Sequence, residues 1–261
     1  MTLDLLDRVE RMLERERLWS AYALADLEPP HAAHAQWLAA EDAVVLVYRA
    51  FEPPVLFAAG SPDGARALLA KIPSGRYLFT LMGTHRALLA PRIQESTETQ
   101  MWRMALRLEK FDAGLAAGAE PLSREDLPAI EELFGEHPDR PDAFDPGQLD
   151  DHAFFGVRQG GALVAVAGTH VVSQRRRLAG VGNVFTQPQH RGHGLATQVT
   201  AGVLQALLGR GVETIVLNVS MRNAPAIRCY ERLGFWPFCG YYEGVGRVGP
   251  ASDSIEEQTV R

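Results

Sequence analysis

In the stretch "GNVFTQPQHRGHGLAT" (182–197), Gly192 and Gly194 are separated by one residue and lie between a strand-like segment and a helix-like segment. A nucleotide P-loop needs Lys and then Ser or Thr after its last glycine, but Leu195 and Ala196 stand there. A dinucleotide-binding fingerprint needs a third small residue where Thr197 stands. What remains is either a plain turn, or a tight turn whose glycines expose backbone N–H groups to an anion at the start of a helix. The loop alone leaves these two alternatives open.

A second pattern, "NAPAIRCYERLGF" (223–235), follows about thirty residues later. Together with Gln189-x-x-Gly192-x-Gly194, it resembles the two motifs of the GNAT (Gcn5-related N-acetyltransferase) superfamily, over about residues 120–246. "THVV" (169–172) and the second motif are most similar to the FR47-like and glycine N-acyltransferase-like branch. The resemblance implies an N-acyltransferase that uses acetyl-CoA as co-substrate.

The pattern of elements around these motifs agrees with that family's fold. "SREDLPAIEELF" (123–134) begins with a capping box formed by Ser123 and Asp126, which predicts a helix. Alternating apolar segments then predict a three-stranded antiparallel meander, followed by the glycine loop, a helix, a strand, a helix and two last strands. The predicted class is α/β (α+β), with a mixed, mostly antiparallel sheet flanked by helices.

The first half has a similar order of elements. We predict helices over 3–18, 31–40 and 61–72, strands over 43–50, 55–60 and 76–83, and a further apolar run over 99–108. This half is either a degenerate GNAT-like copy in a tandem arrangement or an unrelated small α/β domain. As a copy it lacks a glycine loop, so we expect it not to hold pyrophosphate. The linker-like "DAGLAAGAE" (112–120) predicts domains 1–112 and 113–261.

Composition limits the partners and the location. The chain has 261 residues and a formal net charge of -6, so it offers no general attraction for nucleic acid or an anionic membrane surface. Cys229 and Cys239 are too few for a zinc framework or a disulfide scaffold, which predicts no metal site and a reducing, cytoplasmic location. No apolar run approaches about 18 residues, and the mixed, amphipathic start predicts a helix rather than a signal peptide.

The resemblance also implies which residues bind acetyl-CoA. The backbone of the glycine loop would hold the pyrophosphate, and "GNVFT" would run beside the pantetheine arm, with a β-bulge that directs the N–H of Val184 or Phe185 to the thioester oxygen. Asn223 would bind the coenzyme or cap its helix, two alternatives that the sequence leaves open. The complete predicted set is Val184, Phe185, Thr186, Gln189, Arg191, Gly192, His193, Gly194, Leu195, Ala196, Asn218, Asn223 and Ala226.

Two residues are the catalytic candidates. Tyr230 occupies the family's general-acid position, and because a phenol has a pKa of about 10 we expect it to hydrogen-bond the departing sulfur rather than to protonate it fully. His170 is the candidate base for the amine, although strand alternation does not fix which way it points. The predicted acceptor is the amine of a small molecule or an amino acid. The alternative function is a CoA-binding sensor or assembly module that lacks turnover.

Overall fold

The computed structural model describes residues 3–151 and 153–250. These form two compact units, one made of the described residues up to Met101 and from Gly240 onward, the other of Trp102–Cys239. The division differs from the predicted boundary at residue 112 because two long strands, β5 (Ile93–Leu106) and β11 (Phe235–Val248), each contribute residues to both units. Two last strands were predicted, but this segment is the single strand β11.

The first unit has a mixed sheet with helices. Its strands are β1 (Ala35–Ala39), β2 (Ala43–Tyr48), β3 (Val55–Gly60) and β4 (Gly75–Met82), with helices α1 (Leu3–Arg15), α2 (Ala21–Ala25), α3 (Pro62–Leu69) and α4 (Gly83–Leu89). Strands β1, β2 and β3 pair antiparallel, β3 and β4 pair parallel across α3, and β4 pairs antiparallel with β11, which neighbours β5. Strand β2, "AVVLVY", is buried at every position, as its β-branched composition predicts for an internal strand.

The helix predicted over 31–40 is wrong. Only His31–His34 forms a 3-10 turn, and Ala35–Ala39 is the strand β1, paired with β2 from Ala35↔Tyr48 to Ala39↔Val44. The alanines favour a helix locally, but pairing with the apolar β2 and burial of Trp37 outweigh that preference.

The second unit repeats this order of elements. It contains β6 (Glu120–Pro121), α5 (Leu127–Phe134), α6 (Gln148–Asp151), β7 (Phe155–Gln159), β8 (Ala162–Ser173), β9 (Leu178–Thr186), α7 (Leu195–Gly209), β10 (Thr214–Ser220) and α8 (Ala224–Arg232). Strands β6 to β9 pair antiparallel, β9 and β10 pair parallel across α7, and β10 neighbours β5. Antiparallel strands, a helix, a parallel strand, a helix and a long strand therefore occur twice along the chain.

The sheet of the second unit has two covered faces. Ala165 and Ala167 of β8 pack in one cluster with the buried side of α7, whereas Val166 between them packs with α5. This alternation is the two-residue period of a strand. The predicted capping box is confirmed, because Ser123 and Asp126 each bond the other's backbone.

Candidate functional site

The parallel strands β9 and β10 separate in the middle of the second unit. Their pairing runs from Leu178↔Thr214 to Val181↔Leu217 and stops there. Strand β9 continues to Thr186, paired with β8 only on its other edge. The backbone groups of residues 182–186 that face away from β8 therefore lie at an edge where an extended ligand can hydrogen-bond.

A β-bulge interrupts β9 at the point of separation. Between the pairs Val166↔Phe185 and Gly168↔Gly182, β8 has one residue and β9 has two, so β9 contains one extra residue. Asn183, inside the bulge, has a φ of 52°, the left-handed conformation that Asn tolerates better than most residues. A bulge leaves a residue outside the ladder, so it can redirect an N–H group into the gap between the strands.

The glycine loop opens helix α7 with spare hydrogen-bond donors. Gly192 and Gly194 have φ values of 81° and 79°, and nothing lies within 4 Å of the place a side chain would occupy. Gly194 is the N-cap of α7, and no side chain caps this helix. The first N–H groups of the helix thus have no intrahelical acceptor and carry roughly half a positive charge between them. This geometry suits an anion.

The side chain of Arg191 fastens the loop to the end of β9. Its Nε donates to the carbonyl oxygen of Thr186 at 2.9 Å, and its Nη1 donates to a carboxylate oxygen of Asp139 at 3.1 Å. Its guanidinium also lies 5.7 Å from the ring centroid of Phe185. The backbone N–H of Arg191 also donates within the protein, to the carbonyl oxygen of Pro188 at 3.2 Å, so both the side chain and the N–H of this residue hold the loop in place.

The other polar side chains of the loop lie at the surface. Gln189 and His193 are exposed, and the ring Nδ1 of His193 lies 3.3 Å from the carbonyl oxygen of His190. In the described part of the chain, no group of three or more His, Cys, Asp or Glu side chains is arranged to hold a metal ion.

Helix α8 follows the end of β10 and packs beside α7. The Oδ1 of Asn223 accepts from the N–H of Ala226 at 3.2 Å, so the capping alternative for Asn223 is realised. Tyr230 is 8% exposed and lies edge-to-face with Phe235 at 6.1 Å. The Sγ of Cys229 accepts from the hydroxyl of Thr197 in the first turn of α7 at 3.3 Å, and burial raises the pKa of this thiol. A protonated, half-buried thiol fits a wall residue better than a nucleophile.

Besides Oδ1 of Asn183, two buried oxygens near the separation of the strands have no partner among the described residues. They are Oδ1 of Asn218, one residue beyond the last β9–β10 pair, and Oγ1 of Thr186 at the end of β9. Buried polar atoms nearly always hydrogen-bond to protein or water. Together with the open space at the two loop glycines, they fit a ligand that enters between the strands.

His170 lies on the face opposite α7. It is the extra residue of a second bulge, since Thr169↔Val181 and Val171↔Gly180 flank it in the register of β8 with β9. Its ring occupies the space that a methyl group on residue 182 would need. Because Val181 packs with α7 and the next residue points the other way, the ring covers the face that carries α5 and α6.

The sequence interpretation missed Asn183 and Gln148. The Nδ2 of Asn183 donates to Oε1 of Gln148 at 2.8 Å, while its own Oδ1 is buried without a partner among the described residues. An Asn that follows Gly182 inside a strand-like segment could have predicted the bulge, since Asn adopts the left-handed conformation more readily than most residues. Gln148 is the first residue of the short helix α6, and its sequence context gave no signal.

The corresponding positions of the first unit are filled. Parallel pairing of β3 with β4 ends at Phe57↔Thr80, and the indole N–H of Trp19 donates to the next carbonyl oxygen, that of Ala58, at 2.9 Å. Trp19 is 1% exposed and stacks on Phe57 at 5.2 Å. The gap that stays open beside β9 is thus occupied here by a side chain.

Helix α3 also differs from α7 at its start. The hydroxyl of Ser61 caps it by accepting from the N–H of Gly64 at 3.0 Å, and that hydroxyl donates to the carboxylate of Asp42. The N–H of Gly60 donates to Oε2 of Glu16 at 3.3 Å. The N–H groups at this helix start are therefore engaged, and the carboxylates of Asp42 and Glu16 lie beside them. Both features disfavour an anion, in line with the expectation that this half does not hold pyrophosphate.

Comparisons with known proteins agree with this geometry. Residues 120–235 match the model of the acetyltransferase (GNAT) family. Over 117 residues the chain is 33% identical to the ribosomal protein bS18-alanine N-acetyltransferase of Escherichia coli, a match that covers 44% of this chain and 77% of that protein. Over 87 residues it is 39% identical to the mycothiol acetyltransferase of Streptomyces bingchenggensis, covering 33% of this chain and only 28% of that enzyme's length.

A solved structure supports the repeated architecture. A tandem GNAT protein from the clavulanic acid biosynthesis pathway superposes with a TM-score of 0.56 at 14% identity, and the match covers 96% of both chains. At that identity the likeness concerns the fold alone. It confirms the predicted mixed sheet flanked by helices and fits the tandem arrangement.

No described helix is both long enough and apolar enough to cross a membrane.

Proposed function

The chain belongs to the acetyltransferase (GNAT) family, and we propose that it transfers an acetyl group from acetyl-CoA directly to a primary amine of a small molecule or an amino acid. The observation that carries the proposal is the separation of β9 from β10 beside an uncapped, glycine-initiated helix. We assign acetyl-CoA binding to the domain predicted over 113–261 and retain the FR47-like branch as part of the proposal.

The glycine loop is the proposed pyrophosphate site. The backbone N–H groups of Gly192, His193, Gly194, Leu195 and Ala196 lie at a helix end that favours negative charge. The loop begins at Arg191, whose own N–H already donates to the carbonyl oxygen of Pro188 at 3.2 Å. Gln189 borders the loop on its exposed side. Glycine at 192 and 194 lets the phosphates approach the backbone without a side chain in the way.

The open edge of β9 is the proposed site of the pantetheine arm. Backbone groups of Val184 and Thr186 would pair with its amides as another strand would, and the buried Oδ1 of Asn218 is a ready acceptor for an amide N–H. The side-chain oxygen of Asn223 caps α8 by accepting from the N–H of Ala226, and its side-chain NH2 group would bind the ligand.

The bulge of β9 is the proposed electrostatic element. Acetyl-CoA supplies the acyl group as a thioester, and the N–H of Val184 or Phe185 would stabilise the negative charge that develops on its oxygen. Removal of one such donor typically lowers kcat by a factor of about 10²–10³.

Tyr230 and His170 are the proposed groups for proton movement. The amine nitrogen forms the C–N bond as the C–S bond breaks, one amine proton passes to a base, and the departing thiolate takes a proton from water. Complete transfer from a phenol of pKa about 10 to a thiolate near 8.5 costs about 2 kcal/mol, so Tyr230 donates a hydrogen bond to the sulfur. His170 would accept the amine proton through water, since an amine must be neutral to attack.

A thiol-release screen tests the proposal. Purified protein, acetyl-CoA and a panel of amino acids, amino-acid amides and polyamines should yield free thiol and acetylated amine in equal amounts. The name of the Escherichia coli relative specifies an alanine, so α-amines belong in the panel. Calorimetric binding of acetyl-CoA without turnover on any amine would favour the inactive-module alternative, and absence of binding would overturn both.

A further inference from the structure

Asn183 is held in one orientation by a chain of hydrogen bonds that ends in backbone groups. The Oε1 of Gln148 accepts from the backbone N–H of Asp145 at 3.3 Å, and its Nε2 donates to the backbone oxygen of Ala143 at 3.2 Å. A backbone N–H can only donate and a carbonyl oxygen can only accept, so the two ends of the Gln148 amide cannot exchange. Asn183 therefore turns its Nδ2 to Gln148, at 2.8 Å, and its Oδ1 the other way.

The Oδ1 of Asn183 is an acceptor prepared for a ligand. The residue is 3% exposed, and this oxygen has no partner among the described residues. Leaving a buried acceptor unsatisfied costs about 1–3 kcal/mol. The residue adjoins Gly182, over which the ring of His170 lies, and its bond to Gln148 places it on the face of α6. It thus lies beside the bulge but on the side opposite α7.

We propose that Asn183 binds the nitrogen of the acceptor amine through its Oδ1 and, with its surroundings, selects α-amines over lysine-like amines. This inference rests on the proposed function. The hydrogen bond holds one amine N–H on the α6 side, so that the nitrogen lone pair is available to the thioester beside the bulge. Asn183 touches the substrate, whereas Gln148 acts through Asn183 as a positioning residue.

The selectivity follows from the lack of negative charge on the strands that form the site. None of β7, β8, β9 and β10 carries Asp or Glu. On the α6 side, Asp150 pairs with Arg124, and Asp145 is exposed and accepts from the N–H of Gly147. Asp139, on the segment beside Phe185, is paired with Arg191. An amide oxygen does not neutralise an ammonium group, and an imidazole such as that of His170 is too weak a base to remove a proton readily from a lysine-like ammonium group, so the amine must bind largely neutral. At pH 7 an α-amine of pKa about 7.8 is roughly 300 times more often neutral than a lysine amine of pKa about 10.4.

The test compares two small amines, alanine amide and Nα-acetyl-lysine amide, with saturating acetyl-CoA at pH 7. The stronger intrinsic nucleophilicity of the more basic amine offsets part of the difference, so we expect kcat/KM to favour alanine amide at least tenfold. Asn183→Gly keeps the left-handed backbone free of strain and removes only the amide. It should raise the KM of alanine amide at least tenfold and change the Kd of acetyl-CoA less than twofold.

Two further variants separate binding from structure. Asn183→Asp is nearly isosteric, and its carboxylate should shift the preference toward Nα-acetyl-lysine amide. Gln148→Leu should raise the KM of alanine amide by a smaller factor than Asn183→Gly without altering acetyl-CoA binding. Equal use of both amines by the wild-type protein, or a loss confined to acetyl-CoA affinity in Asn183→Gly, would overturn the inference.

The outcomes also separate this inference from the proposed function. If the wild-type protein binds acetyl-CoA but acetylates neither probe, the selection of α-amines fails and the coenzyme site stands. If acetyl-CoA does not bind at all, the proposed function fails, and the assignment of Asn183 fails with it.

Discussion

Substitution of Gly194 by Ala tests the proposed pyrophosphate loop most directly, because the structure offers a matched control. Gly194 has a φ of 79° and Gly161, in the β7–β8 turn, a φ of 86°; at both positions nothing lies within 4 Å of an added side chain. An L-residue in the left-handed conformation costs about 1–2 kcal/mol. Both variants should therefore lose the same stability, which corresponds to a fall in Tm of roughly 2–8 °C for a domain of this size.

Coenzyme binding should separate the two variants. At Gly194 the new methyl group enters the open space in front of the uncapped helix end, where the pyrophosphate is proposed to bind. Loss of one charge-assisted hydrogen bond costs about 1.5–3 kcal/mol, which is roughly a 10- to 150-fold increase in the Kd of acetyl-CoA. Gly161→Ala should leave the Kd unchanged.

The assay is isothermal titration calorimetry with acetyl-CoA, alongside thermal unfolding of both variants. Equal falls in Tm establish that the backbone cost is matched. If Gly194→Ala then binds acetyl-CoA as tightly as Gly161→Ala does, the loop does not contact the pyrophosphate and the assignment is refuted.

Four other substitutions probe the rest of the molecule. Tyr230→Phe should lower kcat at least tenfold with little change in the Kd of acetyl-CoA; an unchanged kcat would remove its role at the sulfur. Gly182→Ala should displace the ring of His170 and lower kcat/KM for the amine while calorimetry shows normal acetyl-CoA binding, and full activity would count against that histidine. Trp19→Ala should lower the free energy of unfolding by about 3–5 kcal/mol in urea titrations and leave one acetyl-CoA bound per chain, whereas two would contradict the inference that the capped start of α3 disfavours an anion. Burial raises the pKa of Asp26 from 3.8 to about 7, so the folded state binds a proton that the unfolded state releases; stability should fall by up to a few kcal/mol as pH rises from about 4 to 7, and Asp26→Asn should abolish that fall.

The elements of the second unit could be predicted because local patterns and tertiary structure agree there. The meander strand β8 and the helix after the glycine loop occur in the order that alternation and the glycine signal predict. The direction of His170 could not be predicted, because a bulge at that residue breaks the two-residue period on which such an inference depends.

The features missed in the first unit are set by distant contacts. Trp19 meets Ala58 across 39 positions of sequence, and no pattern near either residue indicates that a side chain fills the gap between β3 and β4. Strand β1 was mistaken for a helix because its alanines carry little β preference, and only its partner strand makes it extended. The assignment of β11 residues to the first unit likewise depends on pairing with β4, which sequence spacing does not reveal.

The two units show that the shared topology does not by itself create an anion site. In both, a helix follows the last strand of an antiparallel set and leads into a parallel strand. At α3 the hydroxyl of Ser61 accepts a hydrogen bond from the N–H of Gly64 and donates one to the carboxylate of Asp42. The positive helix end is therefore already compensated. At α7 the cap is Gly194, which has no side chain to do this, and the first N–H groups stay available. Two helix starts of the same topology therefore have opposite capacities for an anion, and the difference comes from the cap residue and its neighbouring charge.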